Sequence, residues 1–245
     1  MAPTPLERIA QLEAELAAQR QEMQDFTSAV SHDLRASLRH ISSYAQLVQE
    51  DAGPQLNDEL RGFLDTVVGS AKHLGVQMDA LLQLSRIGSQ PVRTEAVSLQ
   101  AAIAATRAAL AAQTGDRSVL WRIEDALPEV QGDPGLVQLA LQQVLDNALK
   151  FTAGVPQTTI DVSAQRAGPH GGVCLTIVDN GVGFNPSLQA SLFQPFQRLH
   201  TARQFAGLGM GLALTRKAMQ RMQGSVGVHA TVGQGCTVRL VFATR

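Results

Sequence analysis

Residues 132–152 read GDPGLVQLALQQVLDNALKFT, and their apolar spacing predicts a helix over Pro134–Phe151. Within it Gln143, Asn147 and Lys150 follow one another by four and by three residues, which places three polar side chains on neighbouring helical faces. The flanking chain has a different texture. Upstream lie a helix from about Leu99 to Ala112 and the apolar run SVLWRI; downstream come TTIDVSA, GVCLTIVD, a helix from about Met210 to Met222, SVGVHA and CTVRLVFA. In the first of these downstream runs Thr159, Asp161 and Ser163 alternate with Ile160, Val162 and Ala164, as in a sheet with one covered face. The pattern predicts an α/β sandwich with helices segregated on one side of a mixed sheet.

Two glycine-rich connections fall between these elements. IVDNGVGF places Asp179 at a strand end before Gly181 and Gly183, and GLGMGLAL places Gly207, Gly209 and Gly211 at a helix start. Glycines there bring backbone amides near a ligand, and a helix N-terminus favours phosphate. Neither element is a dinucleotide fingerprint or a P-loop, because the glycines do not occupy the first strand-to-helix turn and no glycine run ends in Lys-Ser or Lys-Thr.

The first ninety residues are helical in pattern. Apolar positions from Leu6 to about Val48 recur in steps of three, four and seven. Gly53 and Pro54 break the stripe, and Asn57 or Asp58 caps a second helix expected to bury Leu60, Phe63 or Leu64, Val67, Ala71, Leu74, Met78, Leu81 and Leu82 before it ends near Gly88 and Pro91. Two such helices form an antiparallel hairpin. Because a hairpin cannot enclose its own stripe, pairing into a four-helix bundle, and hence a homodimer, is expected.

A chain of 245 residues with 44% apolar content builds one large or two ordinary domains, and a formal charge of −1 argues against nucleic acid as a main partner. No run reaches the roughly 18 to 20 apolar residues of a membrane span, so the expectation is a chain without direct membrane insertion, cytoplasmic, and compatible with a longer membrane-attached parent. Cys174 and Cys236 suggest neither a disulfide framework nor a metal site.

These motifs carry a family resemblance. FTSAVSHDLRASL, GDPGLVQLALQQVLDNALKFT, DNGVGF, LFQPFQRLH, GLGMGLAL and GQGCTVRL resemble, in order, the histidine box and the nucleotide boxes of bacterial sensor histidine kinases, with DNALKFT and LFQPFQRLH most similar to phytochrome-like and PAS-linked members. The resemblance implies a coiled-coil lead-in over 1–21, a dimerisation and histidine phosphotransfer domain over 22–89, a linker over 90–96 and a Bergerat-fold ATP-binding domain over 97–245. It further implies ATP and Mg²⁺ as cofactors and a response-regulator receiver domain as partner. Carried over by motif, Asn147 with Gln143 holds the metal and Asp179 accepts the adenine amino group. Lys150 and Arg198 face phosphates, with His200 and Arg203 as further candidates. Gly181 and Gly183 shape the base turn, Gly207, Gly209 and Gly211 belong to the lid and its hinge, and Thr237 comes from the terminal box. Phe151 and Phe184 are candidates to line the base or to pack in the core. Gln143 stands where the family usually has an asparagine and reaches one methylene farther, so shifted metal geometry and lowered activity are expected.

With Val30 at the centre of the stripe and about 100° per residue, His32 points some 200° away from it, outward from the bundle. Periodicity alone makes it an ordinary solvated histidine. The histidine-box resemblance makes it the phosphate acceptor, with Asp33 accepting the Nδ1 proton so that Nε2 keeps its lone pair; His40 is a flanking surface residue. Ala36 and Ser37 depart from the family, which often has a proline where Ser37 stands and commonly a Thr or Asn at the fourth position after histidine. A straighter first helix and weak receiver phosphatase activity are the expectations. A degenerate nucleotide-binding scaffold, a chaperone- or topoisomerase-like fragment and a protein serine kinase are the alternatives, and an acid-labile phosphate on His32 separates the histidine kinase from all three.

Overall fold

In the computed structural model the described residues are 4–115, 117–167, 172–201 and 204–243. They form two compact units that meet in sequence at Ser89 and Gln90.

The first unit is a helical hairpin. Helix α1 spans Pro5–Ala52, and Thr4 caps it: its hydroxyl accepts the Glu7 amide, while the Glu7 carboxylate accepts the Thr4 amide at 2.7 Å. A short 3₁₀ turn, Gly53–Gln55, reverses the chain, and α2 spans Asp58–Ser89. Of the two expected caps it is Asn57 that acts, its Oδ1 accepting the Leu60 amide at 2.8 Å. Arg35 to Asp79 (2.6 Å) and Gln49 to Asp65 (2.8 Å) bond across the pair. Ala45, Val68, Ala71, Met78, Leu82 and Ile87 are buried between the helices. The expectation that α2 buries Leu60, Phe63, Val67, Leu74 and Leu81 does not hold within one chain: all five stay exposed, as do Val30 and Leu34 on α1. Each long helix has an apolar arc wider than the contact one neighbour provides, so a single hairpin covers only part of it.

The second unit is a layered α/β domain. Strand β2 (Val119–Ile123) pairs parallel with β4 (Thr158–Ala167), and β4, β5 (Gly172–Asp179), β7 (Cys236–Phe242) and β6 (Ser225–Ala230) follow antiparallel, so the mixed five-stranded sheet has the order β2-β4-β5-β7-β6. Helices α3 (Leu99–Thr114), α4 (Pro134–Phe151) and α5 (Gly211–Arg221) share one core with the sheet. Ile160, Val162, Leu175, Ile177, Val238 and Leu240 supply its strand side, while Val137, Leu141, Val144 and Leu145 present the apolar face of α4. The period-2 alternation in β4 follows the expected division, with Ile160 and Val162 buried and Ser163 exposed.

A second, two-stranded ribbon was not legible beforehand. Strand β1 (Glu95–Ser98) pairs antiparallel with β3 (Glu129–Gly132). Residues 95 and 96, expected in the linker, therefore belong to the second unit. Four-residue strands offer too little alternation to be read locally. Asp133 ties this ribbon to α4: Oδ1 accepts the amides of Gly135 (2.9 Å) and Leu136 (3.1 Å) as the helix cap, while Oδ2 accepts the amide of Arg93 at 2.9 Å.

Candidate functional site

His32 lies on the unbroken run of α1 with its side chain 76% exposed, and Nδ1 stands 3.3 Å from the Asp33 carboxylate. Ser31 beside it turns inward and donates to the Thr27 carbonyl at 2.6 Å. If the ring proton sits on Nδ1, it donates to Asp33, and Nε2 is left with a lone pair directed away from that contact. Ser37 donates to the Asp33 carbonyl at 3.1 Å, and α1 continues through it without a break. The Ala36 methyl offers no group that binds water.

The second unit assembles its site at the C-terminal half of α4 and the ends of β5 and β7. The Lys150 ammonium donates to Asn147 Oδ1 at 3.1 Å and lies 4.5 Å from the centre of the Phe151 ring. Burial lowers the Lys150 pKa; Asp146 opposes this and the Arg198 charge reinforces it. The start of α5 is pressed against the same helix. A methyl group on Gly211 would come within 3.0 Å of Gln143 Oε1 and 3.2 Å of Asn147 Nδ2, and one on Gly207 within 3.2 Å of Lys150 Nζ. The glycine-rich segment thus converges on the polar face of α4, where Gln143 presents Oε1 and Asn147 presents Nδ2 to it, the Asn147 Oδ1 being held by Lys150. Arg198 itself is turned to the Phe205 carbonyl, to which it donates.

Asp179, at the end of β5, is buried, and its Oδ1 accepts the Gly181 amide at 2.9 Å. Loss of hydration raises its carboxyl to about 6 from an ordinary 3.8, against the backbone amides of Gly181 and Cys236, which favour the anion. The turn that follows is tied down on several sides. Asn180 accepts the Thr159 amide and donates to the Gln157 carbonyl, while Val182 donates to the Phe151 carbonyl and accepts the Gly233 amide. No side chain fits at its glycines: a Cβ on Gly181 would lie 2.6 Å from the Phe151 carbonyl oxygen, and one on Gly183, whose φ is 61°, would lie 2.0 Å from that of Thr231.

Two expectations, for Thr237 and His200, differ from the arrangement seen. Thr237 pairs in register with Val178 and His229, which places it on the sheet face opposite Asp179. On β7 the residue paired with Asp179 is Cys236, whose thiol burial pushes up to about 12, with the Asp179 charge adding to the effect. A thiol next to a lone carboxylate leaves no signal in composition or spacing. Of the two phenylalanines open between base and core, Phe184 joins the apolar core, whereas Phe151 meets His200 at a tilt and Phe205 edge-on at the site edge. His200, a phosphate candidate by sequence, is turned to the Gly183 carbonyl and to those rings. Arg203 lies outside the described residues.

Residues 22–90 match the His Kinase A (phospho-acceptor) domain, and residues 132–245 match the histidine kinase-, DNA gyrase B- and HSP90-like ATPase. Over 94% of the chain, 29% of residues are identical to cyanobacterial phytochrome A of a Nostoc species, covering 30% of that protein. Over 95% of the chain, 27% are identical to the cell-division control histidine kinase PdhS of Brucella ovis, covering 24% of it. The chain therefore spans less than a third of the length of these relatives. Among solved structures, full-length ShkA in complex with AMPPNP superposes with a TM-score of 0.62 at 25% identity, over 90% of this chain and 46% of that one. The Acinetobacter baumannii histidine kinase AdeS, at 18% identity and a TM-score of 0.59, covers 86% of this chain and 97% of its own and shares the fold.

Proposed function

Because the chain belongs to the sensor histidine kinases and comprises the catalytic region of one, we propose that it transfers the γ-phosphoryl group of ATP to His32 and then to an aspartate of a response-regulator receiver domain. The observation that carries this reading is the exposed imidazole of His32, held at Nδ1 by Asp33, on the same chain as a domain of the ATPase family. Nε2 attacks the γ-phosphorus, the N–P bond forms as the bond to the β,γ-bridging oxygen breaks, and ADP leaves with the electron pair. Asp33 takes up the charge that develops on the ring by accepting the Nδ1 proton.

In the second unit, Asp179 receives the amino group of adenine. A guanine carbonyl at that place would oppose an acceptor with an acceptor, so the same carboxylate selects the base. Lys150 and Arg198 supply positive charge for the phosphates, and the segment from Gly207 to Gly211 lies where backbone amides can approach them. The amide oxygens of Gln143 and Asn147 are the hard neutral donors that suit Mg²⁺, an ion that keeps several waters and binds chiefly to phosphate oxygens. When bound, the ion would offset the phosphate charge.

We assign residues 22–89 as the dimerisation and phosphotransfer domain and extend the ATP-binding domain upstream to include β1. The uncovered apolar arc of the hairpin supports a homodimer. No helix among the described residues is long and apolar enough to cross a membrane.

Radiolabelled ATP given to wild type, His32→Gln and Asn147→Asp tests the reading. Label that is acid-labile and base-stable, present in wild type and lost in both variants, is expected; label retained by His32→Gln refutes it. Recovery of label on mixing the two variants reports transfer between subunits.

A further inference from the structure

The site contains one histidine that the reaction described above leaves without a task. His200 is half-buried. Its Nε2 lies 3.1 Å from the carbonyl oxygen of Gly183, and its ring centre lies 5.5 Å from that of Phe151 and 5.2 Å from that of Phe205; the two phenyl rings meet edge-on at 5.1 Å. A carbonyl oxygen only accepts, so Nε2 carries the hydrogen in this contact and cannot at the same time donate it to a phosphate. Both imidazole protonation states with hydrogen on Nε2 preserve the bond.

Gly183 closes the turn that begins at Asp179. Along that turn every residue has a partner: Gly181 on the Asp179 carboxylate, Asn180 on β4, Val182 on Phe151 and Gly233, and Gly183 on His200. The first contacts come from the turn itself, from β4, from the end of α4 and from the loop before β7. His200 adds a side chain from a different connection, and its ring abuts Phe151, whose carbonyl already holds the same turn. One imidazole therefore braces both the base-selecting carboxylate turn and the aromatic residue beside it.

We propose that His200 is a positioning residue for the base-binding end of the nucleotide site, acting through the Gly183 carbonyl and the Phe151–Phe205 ring pair, and is not a ligand of the phosphates. The proposal rests on the second unit binding ATP as described above. A phosphate ligand and a brace of the base turn make opposite demands on ligand length: loss of a phosphate contact is felt by ATP and ADP and is invisible to adenosine, whereas loss of the brace weakens all three by the same factor.

The experiment is equilibrium binding of adenosine, ADP, ATP and GTP to the full chain, for wild type, His200→Ala, His200→Gln and Phe205→Ala. His200→Ala is expected to weaken adenosine, ADP and ATP alike, by roughly tenfold, and to narrow the preference for ATP over GTP. His200→Gln, whose amide nitrogen reaches about as far as Nε2, recovers part of the loss and of the base preference. A general loss of packing would not produce that rescue. Weakening confined to ADP and ATP overturns the proposal, as does unchanged binding of all four ligands. Phe205→Ala, which removes the ring partner and leaves the hydrogen bond, is expected to weaken adenosine as well; it carries the comparison if His200→Ala lowers the unfolding midpoint. Wild-type protein that binds none of the four overturns the nucleotide-site reading itself, a result distinct from any difference between variants.

Discussion

Replacing Asp179 by Asn separates recognition from stability. In the folded protein burial raises this carboxyl from 3.8 to about 6. Below pH 3.8 the group is protonated in both folded and unfolded chains. As pH rises through the interval the unfolded chain ionises first, so the stability present at low pH is lost and, above about 6, the cost stays constant. At roughly 1.4 kcal/mol per pH unit the full cost at pH 7.5 is on the order of 3 kcal/mol. An uncharged amide of nearly the same shape escapes it. Asp179→Asn is therefore expected to be more stable than wild type by up to about 3 kcal/mol at pH 7.5 and by only about 0.5 kcal/mol at pH 4. Trp121, the single tryptophan of the chain, lies on β2 in the second unit. Its fluorescence during urea unfolding at the two pH values provides the assay. The same variant loses adenine recognition, and wild type itself should bind ATP about tenfold more weakly at pH 5 than at pH 7, as the carboxylate becomes protonated. A stability gain equal at the two pH values, or none at pH 7.5, refutes the reasoning, because either result means that Asp179 does not bear a desolvated charge at neutral pH.

Further consequences follow from single contacts. Asp133→Ala removes the cap shared by Gly135 and Leu136 together with the bond from Arg93, and should destabilise the second unit by about 1–2 kcal/mol in the same unfolding assay. Gly183→Ala must place a methyl 2.0 Å from the Thr231 carbonyl oxygen at a φ of 61°; loss of several kcal/mol of stability, or failure to fold, is expected in thermal melts monitored by circular dichroism. Leu74→Glu, at an exposed apolar position on α2, should shift the chain from dimer to monomer in light scattering while leaving the unfolding of the second unit, followed by Trp121, unchanged.

Residue spacing alone located α4 at Pro134–Phe151, β5 at Gly172–Asp179 and β6 at Ser225–Ala230. These elements carry their own period over one long helix or over strands bounded by turn residues, so local steric preference and side-chain alternation are enough. The polar face of α4 was legible for the same reason: positions three and four apart on a helix must be neighbours. The outward direction of His32 likewise follows from helical geometry.

What sits beside Asp179 was beyond such reasoning. The one-residue difference between Cys236 and Thr237 depends on the register of β7 against β5, and a single step of register exchanges the two faces of a strand. The ribbon of β1 with β3 joins segments more than thirty residues apart, each too short to show its own period. The motif singles out His200 but does not fix its direction, because its partners Gly183 and Phe151 come from other parts of the chain. The amino-acid sequence by itself thus determined the elements, the order of motifs and the chemical types gathered in them, since these arise from contacts within a few residues. Only the tertiary structure decided which faces meet and how dry the Asp179 carboxyl becomes, because register and desolvation are set by chain segments remote in sequence.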